Sequence, residues 1–200
     1  MLQIVCTPTM NMIHGRALRL FVEQGYNQTT VAQIAEEADV AKKTFFNHFP
    51  TKEDVLFADV EEYYVRATAE VIAERAPDEH VADLLLRIYE RVVSRVLDEG
   101  LLPGDTEALK SLSATIMTRP AIQAKVLHLM FDLQQKIAEA VLKAYPDVLD
   151  PITAVAAVGS LMGAGQAAGF AGLRQGLSPD EQLASIRRAL DVAVRGLRSL

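Results

Sequence analysis

The polar side chains best suited to recognition chemistry lie in one short segment of this sequence. Stepping about 100° per residue along a helix places Lys43, Thr44 and Asn47 on one side of that segment. The same steps place Phe45 and Phe49 on the opposite side. A cation, a hydroxyl and a side-chain amide are the groups that contact phosphates and base edges in a DNA major groove. The pattern therefore predicts a helix with a DNA-reading outer face and an aromatic inner face.

The surrounding stretch, Thr29–Glu53, contains the signals needed to position that helix. Thr30 and Gln33 have the spacing of a capping box at the start of a preceding helix. Asp39 interrupts the apolar pattern where a sharp turn is required, and aspartate tolerates the left-handed backbone region. Pro50 then ends the second helix. The stretch predicts a helix-turn-helix, and the alternative is a helical hairpin with solvated lysines.

A longer segment, LRLFVEQGYNQTTVAQIAEEADVAKKTFFNHFPTKEDVLF, resembles the DNA-binding domain of the TetR family of bacterial transcriptional regulators. The matching positions are Leu20, Phe21, Glu23, Gly25, Tyr26, Thr29, Thr30, Val31, Ile34, Ala35, Ala38, Val40, Thr44, Phe45, His48, Phe49, Thr51, Lys52 and Glu53. Together with the polar face, the resemblance implies a set of DNA-binding residues: Thr29, Thr30, Lys42, Lys43, Thr44, Phe46, Asn47, His48 and Lys52.

Four positions depart from the pattern of the TetR family. Asp39 replaces a usual glycine, and Ala41 replaces the serine that normally caps the recognition helix. Losing such a cap costs about 1 kcal/mol. Lys43 replaces a glycine, while Phe46 replaces a tyrosine whose hydroxyl typically bonds a phosphate. Lys43 adds a cation, whereas Phe46 removes a hydrogen-bond donor. We therefore expect DNA affinity to be retained, with the contacts shifted along the DNA.

The composition predicts an all-α protein. Half of the residues are apolar, tryptophan is absent, and alternation of β-branched residues is missing. We expect about nine helices in two domains: a three-helix helix-turn-helix DNA-binding domain over residues 1–52, and a larger effector-binding and dimerisation domain over residues 53–200. A single cysteine excludes an intrachain disulfide framework and favours a cytoplasmic location.

The net charge of −6 is unevenly distributed along the chain. Residues 1–52 carry five Lys/Arg against four acids, whereas residues 53–200 carry fifteen against twenty-two. A DNA-reading end on an acidic body is compatible with this distribution, but no strong basic patch exists. The opening segment MLQIVCTPTMNM is uncharged, so it predicts neither a signal peptide nor the basic arm common in TetR-like proteins. We expect modest DNA affinity that depends on dimer formation.

Apolar residues at three- and four-residue steps predict the remaining helices. Thr9 is the expected cap of the first helix, where Arg16 is either a phosphate contact or a sign of imperfect packing. Further helices are predicted over 51–76, 80–99, 105–117, 120–145, 152–173 and 179–200.

The helix over 152–173 contains no charged residue, which leaves a membrane span open as an alternative. Its glycines at spacing four would let another helix approach closely, in a membrane or in water. In TetR-like proteins the last two helices form the dimer interface. That resemblance implies the interface residues Gly159, Gly163, Phe170, Leu183, Ile186, Leu190, Val194 and Leu197, in a four-helix bundle around a two-fold axis.

This sequence contains no motif for enzymatic catalysis or metal binding. Gly-rich phosphate loops, nucleophile elbows and H-E-x-x-H helices are all missing. The four histidines lack metal-ligand spacing. We therefore predict a protein that is not an enzyme and that needs no cofactor or metal.

The resemblance implies a mechanism in which a dimer leaves its palindromic operator when a small molecule enters a cavity of the second domain. Such a ligand must bind the released state more tightly than the DNA-competent state, and the long fourth helix would shift the two heads apart. The candidate lining residues predict a mainly apolar effector. They are Tyr63, Tyr89, Met117, Leu127, His128, Phe131, Met162, Gln166 and Phe170.

Two alternatives to this regulator remain open at the level of sequence. The first is a protein of TetR-like fold with a degenerate DNA-binding head that acts as an accessory or partner-binding protein. The second is a small membrane-associated protein that uses the helix over 152–173. The effector, the operator and the choice between repression and activation are not encoded in any motif.

Overall fold

The computed structural model describes residues 7–98 and 119–200, and within these ranges the chain is helical with no strand. The all-α prediction is confirmed. The predicted helix over 105–117 lies outside the described residues. The elements are α1 (Pro8–Gln24), α2 (Val31–Glu37), α3 (Lys42–His48), a 3-10 helix (Glu53–Phe57), α4 (Val60–Ala73), α5 (Val81–Asp98), α6 (Pro120–Ala144), α7 (Pro151–Gln175) and α8 (Pro179–Leu197).

Several helices begin at a short polar residue whose side chain accepts from a free backbone N–H. At α1 this residue is Thr7, which accepts from the Met10 amide at 3.2 Å, so the predicted cap at Thr9 is wrong by two positions. Asp150 caps α7, and Ser178 caps α8. A proline follows each of these caps, where its missing N–H removes no intrahelical bond.

The predicted continuous helix from Thr51 is interrupted near its start. Thr51 donates from its backbone N–H (2.7 Å) and its hydroxyl (2.6 Å) to Asp54, whose own N–H bonds back to the Thr51 carbonyl. This i-to-i+3 pattern starts a 3-10 helix, which has a tighter turn than an α-helix. As a result α4 begins only at Val60 and is shorter than the helix that the sequence predicts.

The described residues form two compact units. The first, which we call the head, holds residues 7–63, 96–98 and 119–129, so it includes the end of α5 and the start of α6. The predicted domain boundary after residue 52 stays a prediction. The core of the head consists of Met10, Ile13, Ala17, Phe21, Tyr26, Ile34, Ala38, Phe45, Phe49, Val55, Leu56 and Ile122.

The second unit, which we call the body, holds residues 64–95 and 130–200. Its core takes residues from α4, α5, α6, α7 and α8. The largest fully buried side chains there belong to leucine and valine, as expected for helices that pack through amphipathic stripes. Core residues of the body include Val71, Val81, Leu84, Leu85, Ile88, Ile137, Val141, Ala157, Val158, Leu161, Leu190 and Val194.

Among the described helices, α7 alone has the length and composition that would allow it to cross a membrane. Core helices of water-soluble proteins meet the same criterion. Ala154, Ala157, Val158 and Leu161 of α7 are buried in the core of the body. The composition of α7 is therefore not evidence for a membrane span.

Candidate nucleic-acid interface

The first helix of the helix-turn-helix is fixed at both ends by the residues that the sequence indicates. The Thr30 backbone N–H donates to Gln33 Oε1 at 2.8 Å, and the Gln33 N–H donates to Thr30 Oγ1 at 3.2 Å. This is the predicted capping box. At the other end Asp39 takes a φ of 49°, the left-handed conformation predicted for the turn.

Helix α3 turns its aromatic side inward. Phe45 and Phe49 are fully buried, with their ring centroids 5.7 Å apart. Phe46 packs edge-on against Phe45 at 5.4 Å, yet 51% of it remains exposed. The Phe45 and Phe49 anchors fix the rotation of α3 about its axis, because a helix with its apolar side buried must present its opposite side to solvent.

The outward side of α3 presents the predicted recognition groups. Lys42, Lys43 and Asn47 are exposed, while Thr44 is half-buried. Among the described residues neither lysine forms an ion pair. Ala41 makes no side-chain cap, so α3 begins on backbone hydrogen bonds alone. The arrangement offers two uncommitted cations and one amide on a single face, which suits phosphate and base contacts.

The arginines of α1 are engaged with acids on the surface. Arg16 lies 3.8 Å from Glu37, which also pairs with Arg19. A second contact joins Arg19 to Glu23 at 3.7 Å. The guanidinium of Arg16 therefore has an exposed acidic partner rather than a free position, although exposed pairs of this kind are weak.

The prediction that Thr29 contacts DNA is corrected by its burial, since only 1% of the residue is exposed. Its hydroxyl oxygen lies 2.9 Å from the Gly25 carbonyl oxygen and 3.2 Å from that of Leu20. It also accepts from the Gln24 side-chain amide at 3.2 Å. The hydroxyl joins the end of α1 to the start of α2, so its function is structural.

Lys52 is half-buried and acts as an internal anchor, and its contact with DNA stays a prediction. Its Nζ donates to the carbonyl oxygens of Tyr26 and Thr29, both at 2.8 Å, and lies 4.1 Å from the centroid of the Tyr26 ring. Burial lowers the pKa of Lys52 below its usual value, against the opposing field of Glu53. With its protons directed at backbone oxygens, the ammonium ties the segment after α3 to the loop before α2.

Tyr26 stands at the centre of this anchor. Its hydroxyl donates to Glu53 Oε1 at 2.7 Å. Burial, and then the bond to Glu53, raise the pKa of Tyr26 above its usual value. Burial alone would raise the pKa of Glu53, but the bond from Tyr26, further hydrogen bonds and Lys52 hold it below its usual value.

Thr30 and His48 remain predicted DNA contacts. Thr30 is exposed at the start of α2, with its hydroxyl 2.9 Å from Gln33 Oε1. His48 is half-buried at the end of α3, with its ring centroid 6.5 Å from that of Phe49.

Sequence reasoning missed the part that α6 plays in the head. Lys125 pairs with Asp54, and Arg119 donates to Asn27 from just before the helix. Between them Ile122 is fully buried in the core of the head. The i and i+3 spacing of Arg119 and Ile122 was visible in the sequence, but their partners are far away along the chain. No local signal could have identified those partners.

The structure separates the candidate effector residues into distinct groups. Leu127 and Phe131 are 61% and 59% exposed and His128 is also exposed, so their place in an effector pocket stays a prediction that their exposure does not support. Met117 lies outside the described residues. Tyr63 belongs to the head. The remaining candidates are half-buried in the body: Tyr89, Met162, Gln166 and Phe170.

Several predicted dimer contacts face the interior of their own chain instead. Leu190, Val194 and Leu197 are buried in the core of the body, and Ile186 packs against that core. At Gly159 an added Cβ would collide with the side chain of Gln134 on α6, so this glycine serves packing within the chain. Because an apolar stripe that packs inside its own chain is not free for a second chain, the interface role of these residues stays a prediction without support from their burial.

The other predicted dimer residues remain available on the surface of the chain. Gly163 is exposed and nothing lies within 4 Å of where its Cβ would be. Phe170 and Leu183 are half-buried. In the described parts of the chain no group of three or more His, Cys, Asp or Glu residues could hold a metal ion.

Comparison with known proteins matches residues 13–58 to the family described as "Bacterial regulatory proteins, tetR family". The HTH-type transcriptional regulator TcmR of Streptomyces glaucescens is 31% identical over 137 residues, which cover 66% of this chain and 58% of TcmR. The fatty acid metabolism regulator protein of Bacillus subtilis is 30% identical over 148 residues, which cover 72% of this chain and 66% of that protein. The chain thus spans less than two thirds of either relative.

A solved structure shares the fold along almost the whole chain. It is the TetR-family repressor FadR of Thermus thermophilus in complex with lauroyl-CoA, with a TM-score of 0.64 and 20% sequence identity. The alignment covers 94% of this chain and 92% of that one.

Proposed function

The chain belongs to the TetR family of DNA-binding transcriptional regulators, which are not enzymes, and from that premise we propose that it is a dimeric repressor. The dimer binds a palindromic operator and leaves it when a small, mainly apolar effector binds the body. Its place of action is the cytoplasm, and it uses no cofactor.

The observation that carries this proposal is the outward face of α3. Lys42, Lys43 and Asn47 are exposed together beside an aromatic pair that fixes the orientation of the helix. A recognition helix needs such a face, because phosphate contacts position it and amide contacts discriminate bases. The net charge of the chain is negative, so the operator contact depends on these local cations.

Dimer formation is proposed through the side of α7 that faces away from its own core. Exposed positions on α7 recur every three or four residues: Ile152, Ala156, Ser160, Gly163, Ala167 and Ala171. Small side chains at this spacing let a second helix approach closely, and Val192 on α8 adds an exposed apolar residue. A two-fold dimer would place two α3 helices for successive half-sites, which predicts a palindromic operator.

A mainly apolar effector is supported by the interior of the body and by the similar proteins. The body core consists almost entirely of aliphatic side chains. One relative is a fatty acid metabolism regulator, and one structural neighbour holds lauroyl-CoA. The effector must favour a released state, and α6, which contributes residues to both units, is the element we propose to carry that bias to the head.

The test is binding of the purified protein to the DNA immediately upstream of its own coding region, titrated at two salt concentrations. Wild type is compared with Lys43→Ala and with Lys143→Ala, a charge-matched control at an exposed position of α6 in the body. We expect specific binding that weakens steeply with salt. Lys43→Ala should bind more weakly with a salt slope smaller by about one, whereas Lys143→Ala should match the wild type.

A second candidate function is an accessory protein that has lost operator binding. The observations that favour it are the uncapped start of α3 at Ala41 and the internal hydrogen bonds of Thr29 and Lys52, two of the predicted DNA contacts. Specific DNA retardation that disappears in the Lys43→Ala, Asn47→Ala double variant would reject this candidate. Equal retardation of unrelated DNA by wild type and double variant would favour it.

A further inference from the structure

One half-buried side chain in the body has a polar atom that is shielded from solvent without a hydrogen-bond partner. It is Gln166 on α7, whose Nε2 is buried and unpaired. Leaving a buried amide unpaired destabilises a fold, so such groups are rare in folded proteins. Among the described residues no other buried side-chain nitrogen or oxygen lacks a partner. This amide is therefore the strongest candidate in the described body for a group that is reserved for a ligand.

A second polar group reaches the neighbouring position of the same helix. The Tyr89 hydroxyl, on α5, lies so close to Gly165 that a Cβ added there would collide with it. The structure gives this hydroxyl no hydrogen-bond partner among the described residues. Burial raises the pKa of Tyr89 above its usual value, so the hydroxyl keeps its proton and can donate. Gly165, the residue before Gln166 in α7, thus leaves room for a neutral donor against the helix.

The buried residues of the body favour an uncharged ligand atom as the acceptor for the Gln166 amide and the Tyr89 hydroxyl. In the described body the one buried polar residue is Thr68, which donates to the Tyr64 carbonyl at 2.8 Å. Every other buried residue described there is apolar. A carboxylate among these buried residues would lose its hydration without gaining a cation, which is unfavourable. A neutral carbonyl oxygen needs only donors, and Gln166 and Tyr89 provide them.

We propose that Gln166 Nε2 and the Tyr89 hydroxyl form a donor pair that binds an uncharged carbonyl oxygen on an otherwise apolar effector. The chemical class is that of ketones, esters, amides and thioesters rather than free acids. This inference deepens the effector-responsive function proposed above and rests on it for its biological role. Binding by the pair can nevertheless be measured without DNA.

The first experiment needs no ligand. Gln166→Met keeps the length of the side chain but removes the unpaired amide, so the thermal midpoint of the ligand-free protein should rise by ~2–4 °C. Gln175→Met, at an exposed position of α7, is the matched control and should leave the midpoint unchanged. A lowered midpoint in Gln166→Met would show that the amide is bonded within the protein, which would overturn the proposal.

A separate control variant tests whether the Tyr89 hydroxyl serves the fold. Tyr145 also lies in the body, but its hydroxyl donates to the Glu79 carbonyl at 2.9 Å. Tyr145→Phe should therefore lower the thermal midpoint, whereas Tyr89→Phe should not. Equal losses in both variants would mean that the Tyr89 hydroxyl serves the fold, and the donor pair would be rejected.

The second experiment measures binding of two probes with the same chain length, 2-decanone and decanoate, by calorimetry. We expect saturable binding of the ketone to the wild type, with the carboxylate binding at least about tenfold more weakly. Gln166→Met should weaken the ketone about tenfold and Tyr89→Phe severalfold, while Gln175→Met retains wild-type affinity. Tighter binding of decanoate, no ketone binding up to its solubility limit, or unchanged affinity in Gln166→Met would overturn the proposal.

Operator binding then separates this inference from the proposed function. If the ketone binds in a way that depends on Gln166 while the protein binds no operator DNA, the proposed donor pair is supported and the proposed repressor function is rejected. If the protein binds DNA specifically but does not bind the ketone, the repressor function is supported and the proposal of a carbonyl-containing effector is rejected.

Discussion

The head and the body differ in how completely their buried polar groups are paired. In the head the Thr29 hydroxyl, the Tyr26 hydroxyl and the Lys52 ammonium all have partners within the protein. In the body the Gln166 amide is buried without one, and the Tyr89 hydroxyl has none among the described residues. Because an unpaired buried polar group destabilises the fold, the first arrangement favours one fixed shape and the second favours occupancy by a ligand.

The difference follows from what each unit has to do. The head must hold α3 in one orientation, so the polar groups around it join neighbouring segments: Lys52 joins the segment after α3 to the loop before α2. In the proposed function the body instead has to distinguish an effector from water. A site whose donors are unsatisfied when empty gains most from a ligand that pairs them, which is also the basis of specificity for polar ligands.

The largest effect is expected from a substitution in the buried aromatic pair that orients α3 in the head. Phe45 is fully buried and packs against Phe49, so Phe45→Ala should lower the free energy of unfolding by about 3–5 kcal/mol. Phe46→Ala removes an equal side chain from an exposed position and should change stability by less than about 1 kcal/mol. Guanidinium unfolding measures both. Similar losses in the two variants would contradict the assigned orientation of α3.

Local chemistry explains why the helix-turn-helix could be predicted from the sequence. The 3.6-residue period separates Phe45 and Phe49 from Lys43 and Asn47, and the φ of Asp39 requires only that residue's own tolerance of the left-handed region. These signals need no knowledge of distant segments. The capping box at Thr30 is of the same kind.

Tertiary partners explain what could not be predicted. Thr29 and Lys52 match a family pattern, yet their roles depend on carbonyl oxygens in the loop before α2 and at the end of α1. The apolar stripe of Leu190 and Val194 on α8 is equally compatible with a dimer interface and with an internal core, because periodicity gives a face but not its partner. Likewise the unpaired state of Gln166 is invisible in a list of residues.

An intermediate effect is expected when the hydrogen-bonded hydroxyl of Thr29 is removed, and it can be compared with removal of the unpaired Gln166 amide. Thr29→Val conserves shape but removes the hydroxyl that bonds the end of α1, and it should lower the free energy of unfolding by about 1–2 kcal/mol. Gln166→Met removes a polar group of the body and should act in the opposite direction. Denaturant unfolding of the two variants provides the test. A change of the same sign in both would remove the contrast between head and body.

The smallest expected effect concerns the ion pair between Asp54 and Lys125, which is partly buried in the head. A double-mutant cycle with Asp54→Asn and Lys125→Ala should give a coupling free energy of about 0.5–1 kcal/mol. The control cycle uses Asp191 and Arg195, an exposed i,i+4 pair on α8, whose coupling should be smaller, about 0.3 kcal/mol. The cycle isolates the pair from the bonds that Asp54 also accepts from Thr51.

The same pair predicts a pH dependence with a definite sign. Burial alone would raise the pKa of Asp54, but the bonds from Lys125 and Thr51 hold it below its usual value. A carboxyl whose pKa is depressed in the folded state stabilises fully above its unfolded pKa, and that contribution is lost as the pH falls through the folded value. Asp54→Asn should therefore flatten the acid limb of stability against pH. An acid limb of wild-type steepness in this variant would show that the head does not depend on Asp54 as a partnered charge.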